Sequence, residues 1–309
     1  MPYNIIRKAK AVLLKKGFFE LVKSTYFYLI NISPYQAKCF SKTQHLFKGK
    51  IGMEIGGPSS VFMKRNVFPV YSIPYRIDNC NFNNDTTWEG KIENGQTFYF
   101  NPKKKPGWQF FFEATNLTKI ASNSYAFLLS SHMLEHSANP ILALSEWIRI
   151  LKQDGLLVIL LPHKDGTFDH RRPVTTMEHL ISDFINNTGE DDLTHMPEIL
   201  ALHDLELDKQ AGDMDCFKAR SERNFENRCF HHHVFDTRLA VKLIDYMQLK
   251  IRAVEAIEPL HILVVAQKTN QEEIIDNSAF TSDSAHYFKN SPFKTDHQLN
   301  EKYDNNGYI

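Results

Sequence analysis

Cysteine is scarce and scattered in this chain. Cys39, Cys80, Cys216 and Cys229 lie far apart and form no CxxC pair, which argues against a zinc ribbon and a secreted disulfide framework. They read as free thiols of a reducing, cytoplasmic compartment. Net charge is also lacking: 36 basic residues balance 36 acidic ones, so the global electrostatic footprint of a nucleic-acid binder is missing. No apolar run approaches the roughly 18 to 20 residues that span a bilayer, and the first residues lack the order of a signal peptide. Glycine and proline number only 13 each, which excludes a collagenous chain, and without an internal repeat a solenoid or propeller is not expected.

What remains is a globular composition, 42% hydrophobic and 23% charged, over 309 residues. That length allows one large domain with extensions or two smaller ones. The zero net charge hides an asymmetry. Residues 1–50 carry ten Lys or Arg against Glu20 alone. From Ile5 to Val22 the apolar residues recur near helical spacing with lysines and Arg7 between them, a basic amphipathic helix. Such a helix either touches an anionic membrane surface peripherally or packs with its lysines solvated.

Lys50-Ile-Gly-Met-Glu-Ile-Gly-Gly-Pro-Ser-Ser60 reads as a short strand and a glycine-rich turn, where a backbone passes close to a ligand. Further strands are expected at Tyr75–Asn79, Trp108–Glu113, Tyr125–Ser130 and Leu156–Leu161. A helix over Pro140–Leu151 has Asn139 as N-cap, Pro140 at its first position and Gly155 in the stop that follows. This alternation predicts an α/β protein with a parallel sheet covered by helices. Nearly ninety residues then pass before the next strand, Leu249–Val254, and they hold ten acids against Lys209 alone between Asp183 and Asp215. The stretch from about 166 to 230 is read as an acidic, partly helical insertion. Asp236 caps a helix Thr237–Met247, and a final strand His261–Gln267 follows a turn at Pro259. The division is therefore an N-terminal extension over 1–49, a central domain over 50–268, and a polar tail over 269–309 expected to be disordered.

In an open parallel sheet, ligands bind beyond the carboxyl ends of the strands. Glu54 with Gly56 and Gly57, Asp78 after the second strand, Glu113 after the third, and Ser130-Ser-His-Met-Leu-Glu-His136 after the fourth would converge there. A carboxylate after the second strand suits a ribose diol, whose two hydroxyls it can accept.

With these residues assembled, the stretch from about Lys50 to Lys268 resembles the class I S-adenosylmethionine-dependent methyltransferases, especially a bacterial group with a Leu-Glu-His motif after the fourth strand. The most specific part runs from Ser131-His-Met-Leu-Glu-His-Ser-Ala-Asn-Pro to Leu-Leu-Val-Ile-Leu-Leu-Pro162. The resemblance implies a Rossmann-like sheet with helices on both faces and S-adenosyl-L-methionine as cofactor. By it, Glu54, Gly56 and Gly57 form the cofactor turn, Asp78 holds the ribose, Glu113 and Ala114 border the adenine, and Ser131 and His132 face the methionine. The chain departs from the family's acid-x-Gly-x-Gly-x-Gly turn, since Pro58 and Ser60 stand at the later glycine positions.

Methyl transfer to oxygen needs an aligned acceptor and a group that removes its proton, a task for histidine at neutral pH. The candidates are His132, the run His231-His-His233 and Asp169 beside them in function. If the run is extended, His231 and His233 share a face. The histidine and acid spacing matches no standard metal-ligand motif, so no metal ligands are assigned. The leading reading is O-methylation of a small-molecule or saccharide-type acceptor, since acidic walls disfavour nucleic acid. A non-catalytic cofactor-binding protein of the same fold and a metal-dependent hydrolase built on the histidines are the alternatives.

Overall fold

The structure is a computed structural model and describes residues 35–270 and 273–298. The basic helix expected over Ile5–Val22 lies outside these residues. A short helix α1 (Lys38–Thr43) leads into an eight-stranded sheet. In chain order the strands are β1 (Ile51–Ile55), β2 (Arg76–Asn81), the pair β3 (Asp85–Thr86) and β4 (Gly90–Lys91) forming a separate hairpin, β5 (Gly95–Phe98), β6 (Gly107–Phe111), β7 (Tyr125–Ser131), β8 (Leu151–Pro162), β9 (Lys250–Ile257) and β10 (His261–Gln267). The sheet order is β5-β6-β2-β1-β7-β8-β10-β9. The five strands from β6 to β8 are parallel, while β5 at one edge and β10, between β8 and the other edge strand β9, run antiparallel to their neighbours. Strand order reverses between β1 and β7, which makes the crevice there the natural binding place.

The central strands are buried on both faces, as parallel strands must be. Phe127, Leu128 and Leu129 of β7 and Leu157, Val158 and Leu160 of β8 have no exposed surface. On one face lie α2 (Pro140–Ile150) and, after the insertion, the helix Thr237–Tyr246. α2 starts where Asn139 Oδ1 accepts the Leu142 N–H at 3.0 Å, and it buries Ile141, Leu144, Trp147 and Ile150 at helical spacing. The opposite face is covered, among the described residues, by α1 and short 3₁₀ turns, with Phe47, Phe62, Phe68 and Tyr71 packed on Phe127 and Val158. The edge strand β5 and the β3–β4 hairpin are additions that sequence periodicity did not show.

Between β8 and β9 the insertion forms α3 (Met177–Ile185), α4 (Met196–Leu202), α5 (Met214–Glu222) and α6 (Asn224–Asn227), followed by α7 (Thr237–Tyr246), capped by Asp236 at 2.7 Å from Leu239 N. The tail corrects the expectation of disorder. Residues 273–298 hold α8 (Ser278–Thr281), α9 (His286–Asn290) and α10 (Lys294–His297). Ala285, Tyr287 and Phe288 join the main core, and Phe293 stacks on His163 at 4.0 Å. A few aromatic anchors in a polar stretch were enough to order it, a pattern too sparse to show as periodicity.

Candidate active site

A cavity of about 700 Å³ opens at the carboxyl ends of β1, β2, β6, β7 and β8, with the insertion and the β3–β4 hairpin closing it. Its volume falls within the range of small-molecule sites.

The turn after β1 forms its floor. Gly56 has φ +83°, a conformation glycine adopts freely, and a Cβ there would meet Met133 Cγ at 2.9 Å. Gly57 does not line the cavity; it is anchored behind it, its N–H donating to Asn79 Oδ1 at 3.0 Å and its carbonyl accepting from Asn79 Nδ2 at 2.9 Å. A Cβ on Gly57 would stand 2.2 Å from the carboxyl carbon of Glu54. Glu54 is fully buried beneath the turn, where it accepts the Ser59 N–H at 2.9 Å and the Tyr71 hydroxyl at 2.5 Å. Burial pushes its carboxyl up to about 7, against the pull of those donors. Pro58, Ser59 and Ser60 continue the cavity wall.

Asp78 is not at the cavity. It lies mid-strand in β2, accepting from Trp108 N at 2.9 Å and the Tyr125 hydroxyl at 3.1 Å and pairing with Arg76 Nε at 2.9 Å. The carboxyl end of β2 lies three residues later, so Asn81 and Phe82 reach the wall instead, and the hairpin beyond adds Trp88 and Glu89. Past β6, Glu113 and Ala114 line the cavity as expected, with Glu113 accepting from Arg228 of the insertion at 2.6 Å. Ser131 and His132 line it at the end of β7. His132 takes φ +50°, at a cost of roughly 1–2 kcal/mol for a residue with a Cβ, and its Nε2 meets His261 Nδ1 at 2.9 Å.

The histidine run is not extended, so its members diverge. His231 enters the cavity wall with Nδ1 bonded to Asp169, itself paired with Arg172 Nη1 at 3.1 Å. Burial opposes charge on His231, but the Asp169 carboxylate outweighs it and holds the imidazole above its ordinary value. Burial likewise favours the neutral acid at Asp169, yet His231 and Arg172 bring it down to about 2. His233, in contrast, faces away from the cavity toward His179, His195 and Asp183.

Glu135 is the wall residue that sequence reasoning passed over, although it stands inside the most distinctive motif. It is 1% exposed, neither carboxylate oxygen has a hydrogen-bond partner, and three imidazole nitrogens surround Oε1: His132 Nδ1 at 3.8 Å, His136 Nε2 at 3.9 Å and His231 Nε2 at 4.0 Å. Burial pushes its carboxyl up to about 7. Among the described residues, two groups of side chains are close enough to hold a metal ion, Glu135 with His136 and His231, and His179 with His195 and His233.

Residues 99–159, from before β6 through most of β8, match the family described as the methyltransferase domain. That match and the sheet order support a class I S-adenosylmethionine-dependent methyltransferase. The matches support S-adenosylmethionine as the cofactor, and the close-approach glycine Gly56, the apolar Phe82 and Phe112, and Ala114 all line the cavity. Similar solved structures include S-adenosylmethionine-dependent methyltransferases from Aquifex aeolicus (9% identity, 74% of this chain and 87% of that one, TM-score 0.37), Methanosarcina mazei (15%, 74% and 97%, 0.39) and Mesorhizobium loti (10%, 74% and 95%, 0.40). Likeness at this level is one of outline, and nothing about the acceptor is drawn from it. No curated protein matches the chain. Among the described residues of this methyltransferase, no helix is long and apolar enough to cross a membrane.

Proposed function

We propose that this methyltransferase acts on a hydroxyl of a small or saccharide-type acceptor, with His231 as the base and Asp169 as the residue that positions it. The observation that carries the reading is the His231–Asp169 contact at the cavity wall. A carboxylate on Nδ1 fixes the ring orientation and leaves Nε2 to receive a proton. S-adenosylmethionine supplies a methyl group on a cationic sulfur that leaves readily. His231 Nε2 would take the acceptor O–H proton as the S–CH₃ bond of a bound cofactor gives way to the new O–CH₃ bond, leaving S-adenosylhomocysteine.

For the cofactor itself, Gly56 and Ser59 would approach the methionine end together with Ser131 and His132, while Glu113 and Ala114 would border the adenine. Asn81 and Glu89 would take the ribose position expected of Asp78. On the acceptor side, the aromatic Trp88 and Phe168 and the polar Glu190, Asp208 and Gln210 suit a polyhydroxylated ring, which offers apolar faces and many donors. Acidic walls favour such a neutral acceptor over a polyphosphate. The four free cysteines support a reducing, cytoplasmic location.

The test is transfer of a labelled methyl group to a panel of hydroxyl compounds, including free and nucleotide-linked sugars. Product and S-adenosylhomocysteine should form in equal amounts. His231→Ala and Asp169→Asn should lower turnover by about 10²–10³-fold and leave cofactor affinity within about twofold. Full turnover in His231→Ala would remove this residue from the reaction.

A further inference from the structure

The insertion gathers a second histidine cluster outside the cavity. His179 and Asp183 stand one turn apart on α3, His195 is at the N-cap of α4, and His233 comes from the bend before α7. His179 Nε2 lies 3.0 Å from His195 Nε2 and 3.3 Å from Asp183 Oδ2, and His233 Nε2 lies 3.7 Å from that same oxygen. Each imidazole presents a ring nitrogen within 4.8 Å of the other two.

Protons do not satisfy this arrangement. The facing nitrogens of His179 and His195 can share one proton at most, and that proton cannot also serve Asp183. Asp183 Oδ2 and His233 Nδ1 are buried with no hydrogen-bond partner, and His233 Nε2 reaches only the Ala138 carbonyl at 3.4 Å. His233 is 1% exposed, so bulk solvent does not reach it.

The distances suit an ion of definite size. Ligands bonded at about 2.0–2.1 Å in a tetrahedron stand about 3.3 Å apart. Three separations within the cluster, 3.0, 3.3 and 3.7 Å, bracket that value, and the three imidazoles all lie within 4.8 Å of one another, with Asp183 beside His179 and His233. We propose that His179, His195, His233 and Asp183 bind one divalent transition metal ion of the zinc type. Four protein ligands close a tetrahedral site, which makes its role structural. The ion ties α3, α4 and the bend that carries His231 into one unit, so it fixes the insertion over the cavity. This inference does not depend on the acceptor or on the role given to His231.

The experiment strips the full-length protein with a chelator and titrates Zn²⁺ against a chromophoric competitor, with Co²⁺ as a spectral probe. The expected result is one ion per chain, tetrahedral visible bands with Co²⁺, and a thermal midpoint that rises on adding Zn²⁺. His179→Ala and His195→Ala should each weaken binding at least tenfold, while His136→Ala in the other histidine group leaves it unchanged. His179→Gln replaces the alanine variant where that one does not fold. Absence of stoichiometric binding by folded protein, equal affinity in the wild type and both cluster variants, or loss confined to His136→Ala would each overturn the assignment.

Discussion

Asp296 and His163, 133 residues apart in sequence, meet at 3.2 Å with neither side chain exposed to solvent. The same carboxylate accepts from the hydroxyls of Thr237 and Ser291, each at 2.6 Å. Burial alone would raise its pKa, but His163 and these donors hold it below the ordinary range. The tail is thereby bolted to the end of β8 and the start of α7. Asp296→Ala leaves four buried donors without this partner, the Thr237 N–H among them, and should cost about 2–4 kcal/mol, read as a lower thermal midpoint. An unchanged midpoint would show that the tail adds nothing to stability.

Glu54 predicts a pH effect. Its carboxyl stands near 7 in the folded chain and near 4.5 when unfolded. Below the lower value both states are protonated. Between the two, the unfolded chain releases a proton that the folded one keeps, so stability falls as pH rises, and above about 7 the loss levels off. Glu54→Gln removes this dependence. Relative to the wild type it should gain up to about 3 kcal/mol on going from pH 5 to pH 8. A constant difference across that range would refute the raised carboxyl.

Gly57→Ala tests the turn. The added methyl would stand 2.2 Å from the Glu54 carboxyl carbon, so the turn must shift against its Asn79 anchors. Calorimetry should show cofactor affinity reduced at least tenfold, and equal affinity would mean that the turn's shape is not what binds.

Asp78 and Glu89 should behave oppositely. Asp78→Asn disturbs contacts to Arg76, Trp108 and Tyr125 and should lower the melting temperature while leaving cofactor affinity within about twofold. Glu89→Gln, at the cavity wall, should lower affinity with little change in melting temperature. The reverse pattern would restore Asp78 to the ribose.

Much of this was legible because local signals agreed with the fold. Asn139, Pro140 and the apolar spacing marked α2, Asp236 marked the start of α7, and the unbroken apolar run Leu156–Leu161 marked a central strand. Glu113, Ala114, Ser131 and His132 line the cavity because the strand ends near them were placed to within about two residues. Asp78 failed because β2 runs on to Asn81, and three residues is the whole distance between strand interior and cavity. His231 and His233 were paired by assuming an extended backbone, whereas bends turn them toward different partners. The cluster of His179, His195 and His233 depends on how the insertion helices fold together, and no spacing along the chain encodes that.

Trp88 stands at the cavity wall, 56% exposed, with its ring 5.4 Å from His136. Trp147 is sealed in the core and Trp108 sits on β6 outside the cavity, so of the three indoles only Trp88 shares its surroundings with whatever fills the cavity. The molecule therefore carries its own optical gauge: intrinsic emission should change in step with occupancy of the cavity, without a label, and Trp88→Phe should silence that change.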